Sequence, residues 1–515
     1  MPDTNATIDA PNAPHRLKGG ILTVPNAIAL SAAAMAPVLA IVLNAPAAAG
    51  AAGAAMPLSF LIAFIACALV GNTVVQFARK LPSAGSFYTF NSKGLGPLAG
   101  FFTGWLFWIG YAILAPGLMT AFGAFVHDYV LSTFHAEVPW WAFSLGAMAI
   151  VFGLSVRSIK ASVNIDLTLL VIEVLVFLIL GVIAISTAGS GNTPDVFLIQ
   201  SSPTGFSGVG LGVVFGILSF IGFDAAATLG EETRNPKRSI PIAVIGALSA
   251  VGVFYVLLMY ALTAGYKLND PTQLAAFLKD PNPFVTLAQN VTPWLVQPIE
   301  LAAIAGIFSC FLAIHNTTVR VMFSMGRDQV LPKSMGRLHA RWYSPLRAII
   351  VQTIFTVVVG LGIGAWLGPG ATGAYGFTGT IGTVAIVIVY IMANIALIKY
   401  FWRSKERRIL THVIVPVLGV LALAYPLYVV GNFSQSYPYN LVPFVVLAWI
   451  AIGVGLYLYY RAKSPEKIAA LGAFVTEEDL PENEQPAALL ASRAASVQHP
   501  TLAEEAAEHP ELTKE

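Results

Sequence analysis

The chain has 515 residues, of which 57% are hydrophobic and 10% are charged. Soluble domains carry about 25% charged residues, so the composition excludes a soluble globular protein and indicates several membrane crossings. The formal net charge of +2 gives no indication of a nucleic-acid partner. Cys67 and Cys310 both lie in apolar segments, which argues against a disulfide framework.

About twelve apolar runs are long enough to cross a bilayer as helices, which takes about 20 residues each. The predicted class is therefore an all-α polytopic membrane protein. Residues 1–20 and 461–515 are polar, and the second segment is acidic and poor in aromatics, so we predict tails, the C-terminal one mostly disordered. The predicted spans lie near residues 23–45, 55–79, 97–127, 139–157, 164–187, 208–230, 240–265, 295–325, 346–366, 373–400, 412–431 and 440–460.

The distribution of Lys and Arg predicts the orientation. With the N-terminus inside, most of these residues fall in the inner segments, whereas the outer loops hold only Lys267 and Lys279. Because cytoplasmic loops are the positively charged ones, both termini are predicted to be cytoplasmic. A bacterial inner membrane is the expected location.

Two spans carry marks of a broken helix. In span one, Pro37 follows a run of small residues, and proline removes a backbone donor and clashes with the preceding turn. In span six, Gly222 stands two residues before Asp224, an acid inside an apolar helix. Opened backbone at membrane depth is tolerated only inside protein or along a cavity, and an intramembrane acid usually has a task. Breaks five spans apart are typical of a five-plus-five inverted repeat with a binding site at its interface. A simple proline kink in span one is the alternative.

Three ordered motifs carry a family resemblance. Residues 220–224 and 231–241 read FIGFD and EETRNPKRSIP, residues 82–88 and 94–97 read PSAGSFY and GLGP, and residues 320–332 read RVMFSMGRDQVLP. The chain thereby resembles the amino acid–polyamine–organocation permeases over about residues 20–460. The resemblance is specific for the superfamily and not for the substrate.

The resemblance implies a LeuT-like fold within a transporter domain at residues 21–460. It implies inverted repeats at about 21–187 and 208–400, followed by two extra helices at about 412–460. It also implies secondary transport of small amines or amino acids by alternating access. Many members have a Gly-Ser/Ala-Gly break in span one, where this chain has Ala33-Ala34-Met35-Ala36-Pro37. That departure puts the usual recognition of a substrate carboxylate in doubt and favours amines.

The substrate site is predicted at the two breaks, with Tyr111 and Tyr375 as further candidates for the cavity wall. In related permeases the acid equivalent to Asp224 lies beside the substrate; the alternative is a structural hydrogen bond to a neighbouring helix. The predicted substrate-binding residues are Ala33, Ala34, Met35, Ala36, Phe220, Ile221, Gly222 and Asp224.

Three ionisable residues are candidates for ion coupling: Asp224, Glu173 and His315. Glu173 lies about ten residues into span five, which is about 15 Å deep at 1.5 Å per residue. Several relatives have a lysine near this place. A glutamate there could carry a proton, help to hold a cation, or make only a structural hydrogen bond to the backbone of a broken helix. As the coupling ion, a proton is favoured over sodium. His315 could relay protons or only donate between helices.

No Walker loop, His-Glu-x-x-His motif, Cys/His cluster or hydrolase serine motif occurs in the sequence, so we predict no cofactor, no metal site and no enzyme. The predicted function is a proton-coupled permease for small amino acids or related amines. Its expected partners are that substrate, a proton and membrane lipid, without nucleic acid. A polyamine or amine exchanger of the same fold and a permease-like ligand sensor are the alternatives.

Overall fold

A computed structural model describes residues 23–81, 86–157, 159–229, 233, 235–280, 282–327, 330–339, 342, 344–430 and 437–463. These residues are almost entirely helical, and no β-strand occurs among them. The predicted tail at residues 1–20 lies outside the described residues, and so does the predicted tail at 461–515, except for residues 461–463, which end the last helix.

Seventeen α-helices occur in the described part of the chain. Several of the gaps between them are filled by short 3₁₀ or π turns, among them Ala225–Leu229, Ala371–Tyr375 and Leu410–Ile414. The α-helices are α1 (Val24–Ala34), α2 (Pro37–Ala52), α3 (Met56–Lys80), α4 (Phe87–Leu95), α5 (Pro97–Ala112), α6 (Leu114–Phe134), α7 (Trp140–Arg157), α8 (Ile159–Thr187), α9 (Phe206–Phe220), α10 (Pro236–Tyr266), α11 (Pro271–Phe277), α12 (Pro283–Val291), α13 (Val296–Arg327), α14 (Leu346–Leu367), α15 (Gly376–Phe401), α16 (Val415–Val430) and α17 (Val442–Lys463).

Eleven helical segments of the described residues are long and apolar enough to cross a membrane, and Leu410–Tyr425 is a shorter apolar helix. The prediction of an all-α polytopic membrane protein is therefore confirmed, while the number of twelve spans and the inverted repeat stay predictions. The eleven segments are Val24–Pro46, Ala48–Lys80, Pro97–Phe134, Trp140–Arg157, Leu170–Thr187, Gly208–Thr228, Pro236–Tyr266, Pro293–Arg327, Leu346–Leu367, Gly373–Phe401 and Val442–Lys463.

The two spans with predicted breaks lie at the centre of the helix bundle. The most apolar windows of Val24–Pro46 and Gly208–Thr228 are 83% and 82% buried, whereas that of Val442–Lys463 is 22% buried. Helix α2 packs along α9, and α1 contacts the turn at Ala225–Leu229. The broken spans therefore run side by side and are covered by the other helices, as irregular backbone at membrane depth requires.

Candidate functional site

The first break separates α1 from α2 at Met35 and Ala36. Pro37 has no N–H to offer the carbonyl of Ala33, and the N–H of Ala36 bonds to that oxygen instead at 2.9 Å. Ala36 has a φ of 47°, a left-handed conformation that costs a residue with a side chain about 1–2 kcal/mol. The backbone turns sharply here, and α2 starts on the far side of the turn.

The second break follows α9 and lies directly against the first. Helix α9 ends at Phe220, Ile221 is extended, and Gly222 has a φ of 109°, which favours glycine. A Cβ added to Gly222 would lie 2.6 Å from the carbonyl oxygen of Ala34. Glycine is therefore required twice at this position, by its own backbone conformation and by the closeness of the other break.

Two side chains join the breaks to their surroundings. Tyr255 of α10 is fully buried, and its hydroxyl lies 2.8 Å from the carbonyl oxygen of Met35 and 2.9 Å from that of Ser219. Ser31 Oγ, before the first break, accepts a 2.8 Å hydrogen bond from the N–H of Ala226, which follows the second break. These bonds satisfy backbone groups that the breaks remove from helical pairing.

A cavity of about 40 Å³ lies between the two breaks and is bordered by the helices α6, α13 and α15. On its wall, the amide of Asn44 donates a 2.9 Å hydrogen bond to Ser219 Oγ. The residues around the cavity are Ala34, Met35, Ala36, Leu39, Ala40, Asn44, Leu114, Leu118, Leu218, Ser219, Ile221, Cys310, Ile314, Tyr375 and Gly379.

Half of the predicted substrate-binding residues line this cavity: Ala34, Met35, Ala36 and Ile221. The other four, Ala33, Phe220, Gly222 and Asp224, belong to the broken segments but are not part of the wall. Of the two candidate tyrosines, Tyr375 lines the cavity and Tyr111 does not.

Sequence reasoning missed the polar wall of Asn44 and Ser219, and it missed Tyr255. Asn44 could have been found from its spacing, because Ala40 and Asn44 are four residues apart and so share one face of α2, and Ala36 precedes Ala40 by the same interval. All three line the cavity.

Asp224 takes part in a buried hydrogen-bonded cluster rather than in the cavity wall. Its Oδ1 accepts hydrogen bonds from the hydroxyls of Tyr111 on α5 at 3.0 Å and Tyr390 on α15 at 2.5 Å. All three side chains are at most 2% exposed. The acid therefore links the second break to two neighbouring spans, on the side of the cavity towards Ala225–Leu229.

A kink in span three places Tyr111 in this cluster. Helix α5 ends at Ala112, and Pro116 has no N–H with which to pair the carbonyl of Ala112 four residues earlier. The side-chain amide of Gln352 on α14 donates to that carbonyl at 3.2 Å and replaces the missing bond. Tyr111 thus lies before the kink, and Leu114 and Leu118 lie after it on the cavity wall.

Glu173 is fully buried on α8. A Cβ added to Gly306 of α13 would fall on Glu173 Oε2 and would lie 3.2 Å from the Cβ of Val38 on α2. The carboxylate is therefore packed at the junction of spans five and eight with α2, the second helix of span one. It does not line the cavity.

His315 is fully buried on α13, but it turns away from the cavity. Its neighbour Ile314 lines the cavity, while His315 Nε2 lies 3.5 Å from the hydroxyl of Thr353 on α14. Its Nδ1 has no hydrogen-bond partner among the described residues. The described part of the chain holds no group of three or more His, Cys, Asp or Glu side chains that could bind a metal ion.

Residues 27–468 match the family model for amino acid permeases. The chain belongs to the amino acid permease family. Members of this family are membrane transporters, so the expectation of a transporter rather than an enzyme is confirmed, and so is the resemblance to the amino acid–polyamine–organocation permeases.

Three relatives in this family match over nearly their whole length. The methylthioribose transporter of Bacillus subtilis is 27% identical, over 82% of this chain and 89% of its own. The branched-chain amino acid permease BcaP of the same organism is 25% identical, over 80% and 87%. The low-affinity putrescine importer PlaP of Escherichia coli is 26% identical, over 79% and 86%. The names of these relatives cover different substrate classes, so family membership leaves the substrate open.

Proposed function

We propose that this permease is a secondary active transporter of small amino acids or related amines, which works by alternating access and is coupled to protons. It would lie in the cytoplasmic membrane with both termini inside. The observation that carries the proposal is the contact between two helix breaks beside a small cavity, within the two most enclosed spans.

The ends of the broken helices supply groups that suit a zwitterion. The first turn of α2 presents backbone N–H groups without intrahelical partners and the positive end of a helix dipole, which favours a carboxylate. The last turn of α1 presents carbonyls and the negative end, which favours an ammonium group. Ala34 and Leu39, from these two turns, both line the cavity. The helix ends of this chain can thus bind both the carboxylate and the ammonium group of an amino acid, although span one lacks the Gly-Ser/Ala-Gly break.

Alternating access is supported by the size of the cavity and by the position of Asp224. A cavity of about 40 Å³ is far smaller than the 300–1,000 Å³ of typical ligand sites, so the helices must move apart to admit a substrate. The bonds from Tyr111 and Tyr390 to Asp224 tie span six to spans three and ten. With both termini inside, as proposed, these bonds would lie on the inner side of the cavity. We therefore assign Asp224 to the closure of the inward path, and release of these bonds would open it.

Glu173 is the proposed coupling residue. The carboxyl group of Glu173 is buried where three spans meet, so a change in how closely these spans pack would change its access to water and would link its protonation to their movement. Asp224 is a second carboxylate that could take up a proton as the inner bonds break. The side chain of His315 faces Thr353 on α14 and not the cavity, so His315 is a weaker candidate for the same role.

The test is uptake into proteoliposomes with the variants Asp224→Asn and Glu173→Gln. Each is expected to abolish transport or to uncouple it from the pH gradient while the protein stays monodisperse. Asp195→Asn, an exposed substitution in a connecting segment, is the matched control and should transport normally. Wild-type rates and wild-type pH dependence in both site variants would refute the site assignment.

Import of a diamine or polyamine is the second candidate for the substrate. It is favoured by the similarity to the putrescine importer and by the departure in span one. A thermal-shift screen of the purified protein against amino acids, diamines and alkylamines separates the classes, because a bound ligand raises the apparent stability by mass action.

A further inference from the structure

We infer that the cavity between the breaks accepts a small, uncharged side chain, and that Gly379 of α15 sets the size limit. The inference rests on the proposed transport function and names the substrate class of that site. Three observations carry it: the chemistry of the wall, the volume of the cavity, and the empty space in front of Gly379.

The wall contains no ionisable side chain of the Asp, Glu, Lys, Arg or His type. Its polar side chains are neutral, with Asn44 and Ser219 already bonded to each other. Asp224, held by two tyrosine hydroxyls, and Glu173, packed against Gly306, both lie outside this wall. The ammonium and carboxylate of an amino acid can be met by the helix ends. A second ammonium on a side chain would be buried without a counter-charge, which is strongly unfavourable.

The volume points to a short side chain. One water needs about 10–15 Å³ of such space, so in this conformation a cavity of about 40 Å³ has room for about three non-hydrogen atoms, which is a short side chain and not a whole amino acid. Beyond the breaks, the wall includes the bulky apolar side chains of Leu114, Leu118 and Ile314, beside Cys310, Tyr375 and Gly379. These side chains favour apolar atoms and limit their number.

Gly379 differs from Gly382, the next glycine of α15, in the space that is available for an added Cβ atom. At Gly382, one turn further along α15, an added Cβ would lie 2.7 Å from the carbonyl oxygen of Gly110, so helix packing requires glycine there. At Gly379 an added Cβ meets no atom within 4 Å, although the residue lines the cavity. Packing therefore does not require glycine at position 379, and the space it leaves belongs to the cavity.

The experiment measures binding and proteoliposome uptake for a graded series: glycine, alanine, valine, leucine, lysine and putrescine. The wild-type protein is expected to favour glycine and alanine over leucine, lysine and putrescine by at least about tenfold. Gly379→Ala should weaken alanine and valine about ten- to hundredfold relative to glycine, since one methylene is worth about that much in a tight apolar pocket.

Gly362→Ala is the matched control, because an added Cβ on this α14 glycine also meets no atom within 4 Å and position 362 is not on the cavity wall. It should leave the selectivity unchanged. Leu118→Ala enlarges the cavity and should improve the binding and uptake of valine and leucine relative to alanine. If Gly379→Ala does not fold, this variant tests the size limit in its place.

Tightest binding of lysine or putrescine would overturn the inference of an uncharged site while leaving a transporter in place. An equal effect of Gly379→Ala on every ligand, together with unchanged selectivity in Leu118→Ala, would overturn the size limit. If no amino acid and no amine bound or was transported, the proposed function itself would fall, and this inference with it.

Discussion

The hydroxyl of Tyr255 offers a direct test of how the two breaks are held together. Tyr255→Phe removes one oxygen and its proton, which lie within hydrogen-bonding distance of the carbonyls of Met35 and Ser219. The ring contacts survive, because Tyr255 meets Phe220 and Phe60 edge to face and phenylalanine can do the same. The substitution thus isolates the hydrogen bond from the packing.

The expected magnitude follows from the geometry. A hydroxyl has one proton, so it donates to one carbonyl at a time, and the substitution removes one buried hydrogen bond. Leaving a buried acceptor unsatisfied costs about 1–3 kcal/mol, and interhelical bonds in membranes reach about 1.7 kcal/mol. A loss of 1–2 kcal/mol corresponds to a factor of about 5–30 in an equilibrium constant. We expect apparent substrate affinity to fall by a factor in this range and the thermal midpoint to fall as well.

The assay is uptake into proteoliposomes at varied substrate concentration, together with a thermal unfolding scan in detergent. Tyr260→Phe on the same helix is the matched control, since its hydroxyl makes only a 3.4 Å contact with Asn192 at an exposed position. It should behave as wild type. If Tyr255→Phe also kept the wild-type KM, maximal rate and thermal midpoint, the hydroxyl would not be holding the breaks.

Three further predictions concern the packing, the surface and the tail. Gly306→Ala should severely impair transport, because its Cβ would fall on the carboxylate of Glu173; uptake by this variant beside Gly362→Ala is the measurement. A 2.6 Å hydrogen bond from Lys80 and the positive charge of Lys80 lower the pKa of Glu406. The ion pair is therefore present at neutral pH, and it is lost as the pH falls through that lowered pKa. Because both side chains are exposed, Lys80→Ala should leave the thermal midpoint at pH 7 unchanged, and a shift of several degrees would contradict this. Removal of residues 468–515 should leave flux intact, whereas a ligand sensor that signals through its tail would lose its output.

The membrane fold could be predicted well because each span must satisfy its own backbone hydrogen bonds and present apolar side chains to lipid. The predicted spans 346–366 and 373–400 differ by only one residue from the observed Leu346–Leu367 and Gly373–Phe401. The predicted span 97–127 stops short of the observed Pro97–Phe134. Beyond the lipid, hydropathy no longer marks where a helix ends.

The breaks could be predicted because proline and glycine alter the backbone locally, and the residues that stabilise the breaks could not. Pro37 and Gly222 act on their own neighbours in sequence. Tyr255, by contrast, reaches a carbonyl 220 residues away, and a single tyrosine in an apolar helix is indistinguishable from core packing in the sequence. Contacts of that separation depend on the three-dimensional arrangement of the spans.

The hydrogen-bond partners of Asp224 could not be predicted from the sequence either. The sequence marks a buried acid beside a helix break, which predicts a functional group without naming its partner. Its partners, Tyr111 and Tyr390, are 113 and 166 residues away, and together they turn the carboxylate away from the cavity wall. If the acid closes the inward path and Gly379 limits the size of the cavity, substitutions at the two positions must change different kinetic quantities. Asp224→Asn should then lower the rate of transport more than the affinity for substrate, and Gly379→Ala should change the affinity for particular substrates first.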